Sequence, residues 1–361
     1  MESHYSLKYY QYELDESLIA QQPSTERVES RLLDFSKLEV NHRKFHELLN
    51  LDLLSQEKVL FVCNNTRVRK ARLYAKRVSG GKVEALLFEQ ILDSTHFGCW
   101  KAFLKPSRKL KPSETVYLNE NYGLKLVERF EGYWIVSLQD LHSQEPLTPS
   151  DQALLLEEIG NLPLPPYIKD YKGDLGRYQT IFASELGAAA APTAGLHFDS
   201  NMIESLKAMG HEFCEVTLHV GPGTFKPIDT DDIRDYPIHR EFISVGQVTI
   251  DLLQRARSQN HKIVAIGTTS LRVLESVYRQ NQWRNAWSGW TQLYLYPGQK
   301  VHACDYLMTN FHLPCSSLLV LVASLVGVDN LHRIYKEAIE EQYRFFSFGD
   351  TSILPNLSPC S

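Results

Sequence analysis

Four histidines, His197, His219, His239 and His312, stand in polar or glycine-rich surroundings and are the chain's main candidates for moving protons near neutral pH. No zinc-ligand spacing, phosphate-binding lysine loop or serine nucleophile elbow competes with them. His219 ends an alternating run, Glu215 to Val220, in which Val216, Leu218 and Val220 share one face and Glu215, Thr217 and His219 the other. The turn that follows, Gly221-Pro222-Gly223-Thr224-Phe225, lets backbone approach a ligand and offers an aromatic plane to a base, although a plain tight turn would use the same residues. His197 closes Gly187-Ala188-Ala189-Ala190-Ala191-Pro192-Thr193-Ala194-Gly195-Leu196-His197. Its small side chains suit either a tight ligand slot or a closely packed turn. His239 and Glu241 are two apart, on one side if the segment is extended, and can act as a tuned acid/base pair or as a surface ion pair. Gly267-Thr268-Thr269-Ser270 places three hydroxyls at a helix start, where free N–H groups favour an anion or a ribose and where a simple N-cap is equally at home. Thr309-Asn310-Phe311-His312 and the tail from Gln342 to Asp350, with Arg344 and Asp350 among aromatics, complete the set.

These groups need elements to hold them. Lys262 to Ile266 is a continuous apolar run, as expected of a parallel strand covered on both faces, and Leu271 to Val277 follows with helical spacing. Val59 to Val62 reads as another buried strand, and Asp15 can cap a short helix that Pro23 stops. Between these α/β stretches the pattern changes to short strands with turn signals: Ala71–Val78, Val83–Phe88, Thr115–Leu118, Leu124–Val127 and Tyr133–Leu138. A helix over Gln152–Ile159 and the run Leu162-Pro163-Leu164-Pro165-Pro166 lead back to α/β sequence. The expected architecture is a three-layer α/β core domain, residues 1–66 and 151–361, with a small antiparallel β-barrel domain inserted at 67–150.

Charge supports that division. The net charge is −5, yet Arg67 to Lys111 holds twelve lysines and arginines against three acids, a local +9 that leaves −14 elsewhere. A one-sign patch on an acidic protein attracts and orients a polyanion, although lysine-rich faces are also common as mere solvated surface. The six scattered cysteines form no C-x-x-C pair, which argues against a disulfide framework or a thiolate metal site. The N-terminus lacks a secretory pattern, and the apolar stretch Leu313–Val328 is interrupted and shorter than the ~20 residues that span a bilayer. A soluble, cytoplasmic, monomeric protein without membrane contact is expected.

The order of motifs resembles the S-adenosylmethionine:tRNA ribosyltransferase-isomerase family of queuosine biosynthesis. The likeness runs from Tyr12-Glu13-Leu14 and Ile19-Ala20-Gln21 through Ser30-Arg31-Leu32-Leu33, Asn64-Asn65-Thr66-Arg67, Gly80-Gly81-Lys82-Val83-Glu84, Leu162 to Ile168 and Arg177-Tyr178-Gln179-Thr180. It continues through Ala191 to Phe198, Leu218-His219-Val220-Gly221, Gly223-Thr224-Phe225, Gly267 to Ser270, Asn310 to Pro314 and Tyr343 to Asp350. Two positions depart from the family pattern: Asn65 stands where an aspartate is usual, and Cys315 where an arginine is frequent.

The resemblance implies an enzyme that moves the ribosyl part of S-adenosylmethionine, a co-substrate rather than a prosthetic group, onto 7-aminomethyl-7-deazaguanine at the tRNA wobble position. The product is epoxyqueuosine; adenine and methionine leave and no metal is required. It further implies base and acid duties among His197, His219 and His312, supported by Glu241 or Asp350. Substrate contacts are expected at Thr193, Gly195, Gly223, Thr224, Phe225, Gly267, Thr268, Thr269, Ser270, Arg272, Asn310, Phe311 and Arg344. The tRNA anticodon arm is expected on Arg67, Arg72, Lys105, Arg108, Lys109 and Lys111. An S-adenosylmethionine-dependent RNA methyltransferase or a non-catalytic RNA-binding protein would share the basic segment. The first is disfavoured because no Gly-x-Gly-x-Gly turn follows an early strand, the second because the histidine and glycine motifs lie outside that segment.

Overall fold

The computed structural model describes residues 4–91, 95–169 and 171–359, apart from the side chains of Pro222 and Phe225. The chain forms two compact units, one of residues up to Arg67 together with Pro165 onward, the other Val68–Leu164.

The first unit is built on a nine-stranded sheet. Its order is Trp287–Thr291, Glu241–Val245, Glu212–Leu218, Val59–Asn64, Lys262–Ile266, Tyr306–Asn310, Thr351–Pro355, Arg31–Asp34 and Asn41–Lys44. The four strands Glu212–Leu218, Val59–Asn64, Lys262–Ile266 and Tyr306–Asn310 run parallel, and antiparallel neighbours flank them on both sides. Period-2 alternation sends their residues to two cores, as expected when both faces of a parallel sheet are covered. Leu60, Val62, Ile263, Ala265 and Leu307 pack with the helices Gln247–Ser258, Gly267–Asn281, Ser317–Val326 and Val328–Glu340. Val59, Phe61, Cys63, Val264, Ile266 and Met308 pack with Phe45, Leu48 and the helix Ser200–Ala208. This is a mixed α/β protein with a large, doubly covered sheet. Ser317–Val326 and Val328–Glu340 meet at 115°, and among the described residues no single helix is long and apolar enough to cross a membrane.

In the second unit six strands close in the order Trp134–Asp140, Trp100–Lys105, Lys82–Gln90, Arg72–Lys76, Thr115–Tyr117 and Tyr122–Arg129, every adjacent pair antiparallel. Inward side chains such as Leu73, Val83, Ala85, Trp100, Ala102, Leu124 and Val136 fill the interior. Two sequence expectations need correction here. The strand Trp100–Lys105 is missing from the expected set, and the boundary placed at 150 falls at Leu164. The helix is Pro149–Ile159, and its Leu155 and Leu156 pack into the barrel core; its amphipathic face belongs to that unit, not to the α/β unit. Gln152 secures it, accepting from Trp100 Nε1 at 2.7 Å and donating to the carbonyls of Gly98 and Leu147 at 2.8 Å.

Candidate active site

Strand polarity decides where a ligand can sit. In an open α/β sheet the carboxyl ends of parallel strands carry loops and helix starts whose backbone groups are free to bind. The four parallel strands end at Asn64, Leu218, Ile266 and Asn310, each next to a sequence motif. Above the last two lies a cleft of about 680 Å³, including space open to solvent. It is walled by Thr193, Thr224, Gly267, Thr268, Thr269, Asn310, Phe311 and His312 from the motifs, with Tyr167, Thr309, Ser316, Phe346 and Ser347 among the rest.

Gly267 begins the helix Gly267–Asn281 at φ +88°, a left-handed conformation that a side chain would strain. The helix thus starts at once on leaving the strand, which puts Thr268 and Thr269 at the cleft. The Thr269 hydroxyl and Asn310 Oδ1 are buried without a partner among the described residues, whereas Asn310 Nδ2 donates to the Phe346 carbonyl at 3.0 Å. A cleft with an unmet hydroxyl and an unmet carbonyl oxygen is prepared for a ligand bearing both donors and acceptors.

His312 faces this cleft. Its Nε2 lies 2.7 Å from the Thr309 hydroxyl, its amide donates to Tyr335 Oη at 3.0 Å, and its carbonyl accepts from Tyr12 Oη. Burial pushes its pKa from 6.5 down to about 3, so the imidazole is neutral.

His197 and His219 are not in the cleft wall. His197 is buried, with Nδ1 2.7 Å from the Ser30 hydroxyl and Nε2 3.3 Å from Asn310 Nδ2. Burial lowers its pKa to about 4, against the opposing pull of Asp350. It stands behind Asn310 and orients it. His219 places Nδ1 2.8 Å from the Thr66 hydroxyl, and its ring lies so close to Gly187 that a Cβ there would sit 2.5 Å away. The small residue at 187 makes room for a histidine rather than for a ligand.

The predicted carboxylates also act at one remove. Glu241 accepts from the Gly221 amide at 2.9 Å and the Thr224 hydroxyl at 3.0 Å, and pairs with Arg272. It thereby pins the glycine turn, and with His239, Gly223 and Arg272 it lines a second cavity. Asp350 accepts from the amides of Arg31 and Arg344 at 2.9 and 2.8 Å and from Arg344 Nη2 at 2.9 Å. That saturates it and ties Arg344 to the tail. Ser270 donates back to the Ile266 carbonyl at 2.7 Å and Gly195 is buried in a 3-10 turn; neither they nor Arg344 reach the cleft. The Phe225 side chain lies outside the described residues.

Of the residues expected to hold tRNA, Arg67, Lys105, Arg108, Lys109 and Lys111 are exposed. Arg72 is engaged internally, 3.3 Å from Glu84 and donating to the Leu164 carbonyl at 3.0 Å. Ser30, Tyr167, Thr309 and Ser347 fall inside the quoted motifs but were not singled out as site residues. Thr309 opens the motif that holds His312 and was within reach, whereas the meeting of Ser30 with His197 spans 167 residues and has no local signal.

Fold and site together define an α/β enzyme with its cleft at the carboxyl edge of a parallel sheet. A family model described as "Queuosine biosynthesis protein" matches residues 7–354. The S-adenosylmethionine:tRNA ribosyltransferase-isomerase of Finegoldia magna is 39% identical over 350 residues, covering 96% of this chain and 97% of the relative. The protein of that name from Nitratidesulfovibrio vulgaris is 41% identical over 367 residues, with 96% of each chain covered. A crystal structure of an S-adenosylmethionine tRNA ribosyltransferase from Thermotoga maritima aligns with a TM-score of 0.52 at 32% identity, covering 97% of this chain and 99% of that one. The chain belongs to the queuosine biosynthesis protein family.

Proposed function

We propose that this chain is an S-adenosylmethionine:tRNA ribosyltransferase-isomerase, which transfers the ribosyl moiety of S-adenosylmethionine to 7-aminomethyl-7-deazaguanine at the tRNA wobble position in the cytoplasm. Epoxyqueuosine forms, and adenine and methionine are released. The observation that carries this reading is the convergence of Thr193, Gly267–Thr269 and Asn310–His312, far apart in sequence, on one cleft at the sheet's carboxyl edge.

The sulfonium acidifies the 5′ carbon of the bound co-substrate. His312, neutral and oriented by Thr309, removes that proton; the resulting ylide expels adenine, which takes the proton back from the imidazolium. The tRNA amine then attacks the opened sugar, and the methyl group stays on methionine. His197, Glu241 and Asp350 position the groups that touch substrate. The inserted barrel unit holds the anticodon arm through Lys105, Arg108, Lys109 and Lys111, and Arg67 of the α/β unit contributes to the same grip; their exposure and shared sign suit a phosphate backbone.

The test mixes protein, S-adenosylmethionine and tRNA bearing the aminomethyl base and identifies the small molecules released. Adenine with methionine is the expected result. S-adenosylhomocysteine would replace ribosyl transfer by methylation, and unconsumed S-adenosylmethionine would leave an RNA-binding protein.

A further inference from the structure

Beside the cleft lies the second cavity, about 400 Å³ including space open to solvent, and the two share Thr224 and Leu318 in their walls. Arg272 is buried there at 4% exposure. Two of its three guanidinium nitrogens are used, Nη1 by Glu241 and Nε by the Leu293 carbonyl at 3.2 Å, whereas Nη2 is buried without a partner among the described residues. Tyr294, lining the same cavity, has a hydroxyl that is likewise buried and unmet. Burial holds that hydroxyl well above the usual tyrosine range, so it remains a proton donor.

Neither unmet group is an accident of a loose surface. Glu241 fixes Arg272 from one side and is itself fixed by the Gly221 amide and the Thr224 hydroxyl, so the guanidinium cannot swing to find another acceptor. A guanidinium has no acceptor capacity, and Nη2 can be satisfied only by a group bringing lone pairs. The Arg272–Glu241 pair is formally neutral, so an anion entering here meets two donors on a site whose own carboxylate is already paired.

We propose that this cavity is a carboxylate subsite, which receives the α-carboxylate of the methionyl part of S-adenosylmethionine, one oxygen on Arg272 Nη2 and the other on the Tyr294 hydroxyl. The inference rests on the reading of S-adenosylmethionine as co-substrate. The adenosyl part then occupies the neighbouring cleft against Thr269 and Asn310, and the chain between them passes the shared wall at Thr224 and Leu318. Arg272 and Tyr294 act as positioning residues: anchoring the end remote from the reacting carbons fixes where the sulfonium sits.

The experiment measures dissociation constants of the full-length protein for S-adenosylmethionine and for its decarboxylated analogue, using wild type, Tyr294→Phe and, as a second variant that keeps a cation beside Glu241, Arg272→Lys. Wild type should bind the parent compound at least about tenfold more tightly than the analogue, and each variant should lose about tenfold for the parent while holding its affinity for the analogue. Equal weakening of both ligands, or of neither, would overturn the subsite while leaving the proposed function intact. A wild-type protein that binds neither compound and releases no adenine would remove both.

Discussion

Arg272 and Glu241 meet inside the α/β unit with side-chain exposures of 5% and 4%, whereas Lys105, Arg108, Lys109 and Lys111 of the barrel unit stand in solvent. Glu275 repeats the first pattern: fully buried, it accepts from Arg279 Nε at 2.7 Å and from the amides of His302 and Ala303 at 2.8 and 3.0 Å. Removing charge from water is expensive, so buried ions persist where they fix geometry, and fixed geometry is what a reaction cleft needs. Charges left in solvent cost little and contribute little to stability, but together they attract a polyanion. The same residue types therefore carry shape in one unit and, in the proposed function, affinity for tRNA in the other, and substitutions should divide accordingly.

The division is tested most severely at Glu241. Glu241→Gln leaves Arg272 as a buried cation without a counter-charge, and a loss of about 3–5 kcal/mol of stability is expected from denaturant titration at pH 7. A loss below about 1 kcal/mol would mean that the pair does not hold this part of the α/β unit.

Next in size is the pH dependence of folding. His197 is held neutral with a pKa pushed from 6.5 down to about 4, so below pH 6.5 the unfolded chain takes up a proton that the folded one refuses. Stability is therefore fully present above pH 6.5 and falls as the pH drops toward 4, by about 3 kcal/mol for this one group. His312, shifted the same way to about 3, adds to the fall. His197→Gln should flatten the acid limb of a plot of Tm against pH. A slope equal to wild type would show that His197 is not the buried neutral group described.

A smaller effect is expected at Asn65, where the family pattern has aspartate. Its amide donates to Glu215 Oε2 at 3.0 Å and accepts from the Thr217 hydroxyl at 2.8 Å, using both ends of a side chain that an aspartate could replace only as an acceptor. Asn65→Asp sets two carboxylates face to face and should cost about 1–3 kcal/mol at pH 7. The cost should shrink at pH 5 as one carboxyl takes a proton. A pH-independent loss would point to packing instead.

How much of this could be read in advance depended on range in sequence. The strand Lys262–Ile266 and the helix that follows were legible because continuous apolar residues and then helical spacing are local signals. The cleft residues Thr268, Thr269, Asn310 and His312 were legible as motifs, yet their meeting was not: it depends on Lys262–Ile266 and Tyr306–Asn310 being parallel neighbours. Roles blurred for the same reason. His197, His219 and His312 look equivalent in sequence, and only their partners Ser30, Thr66 and Thr309, two of them more than a hundred residues away, separate the histidine that faces the cleft from the two that stand behind it. Helix Pro149–Ile159 was assigned to the wrong unit because an amphipathic face states that something covers it, not what.

The mildest substitution probes the solvent side of the contrast. Lys109 is exposed, so Lys109→Ala should leave the unfolding free energy within about 0.5 kcal/mol of wild type. It should nevertheless reduce the slope of log K for tRNA against log salt by about 0.7 to 0.9, the contribution of one phosphate contact. Because wild type loses that contact's advantage as salt rises, the affinity gap between the two proteins should narrow about threefold between 50 and 200 mM salt. An unchanged slope with unchanged affinity would take Lys109 off the RNA surface. A shifted midpoint with an unchanged slope would mean that its charge serves the barrel's own structure, as Arg77 does in holding Glu114 through two nitrogens.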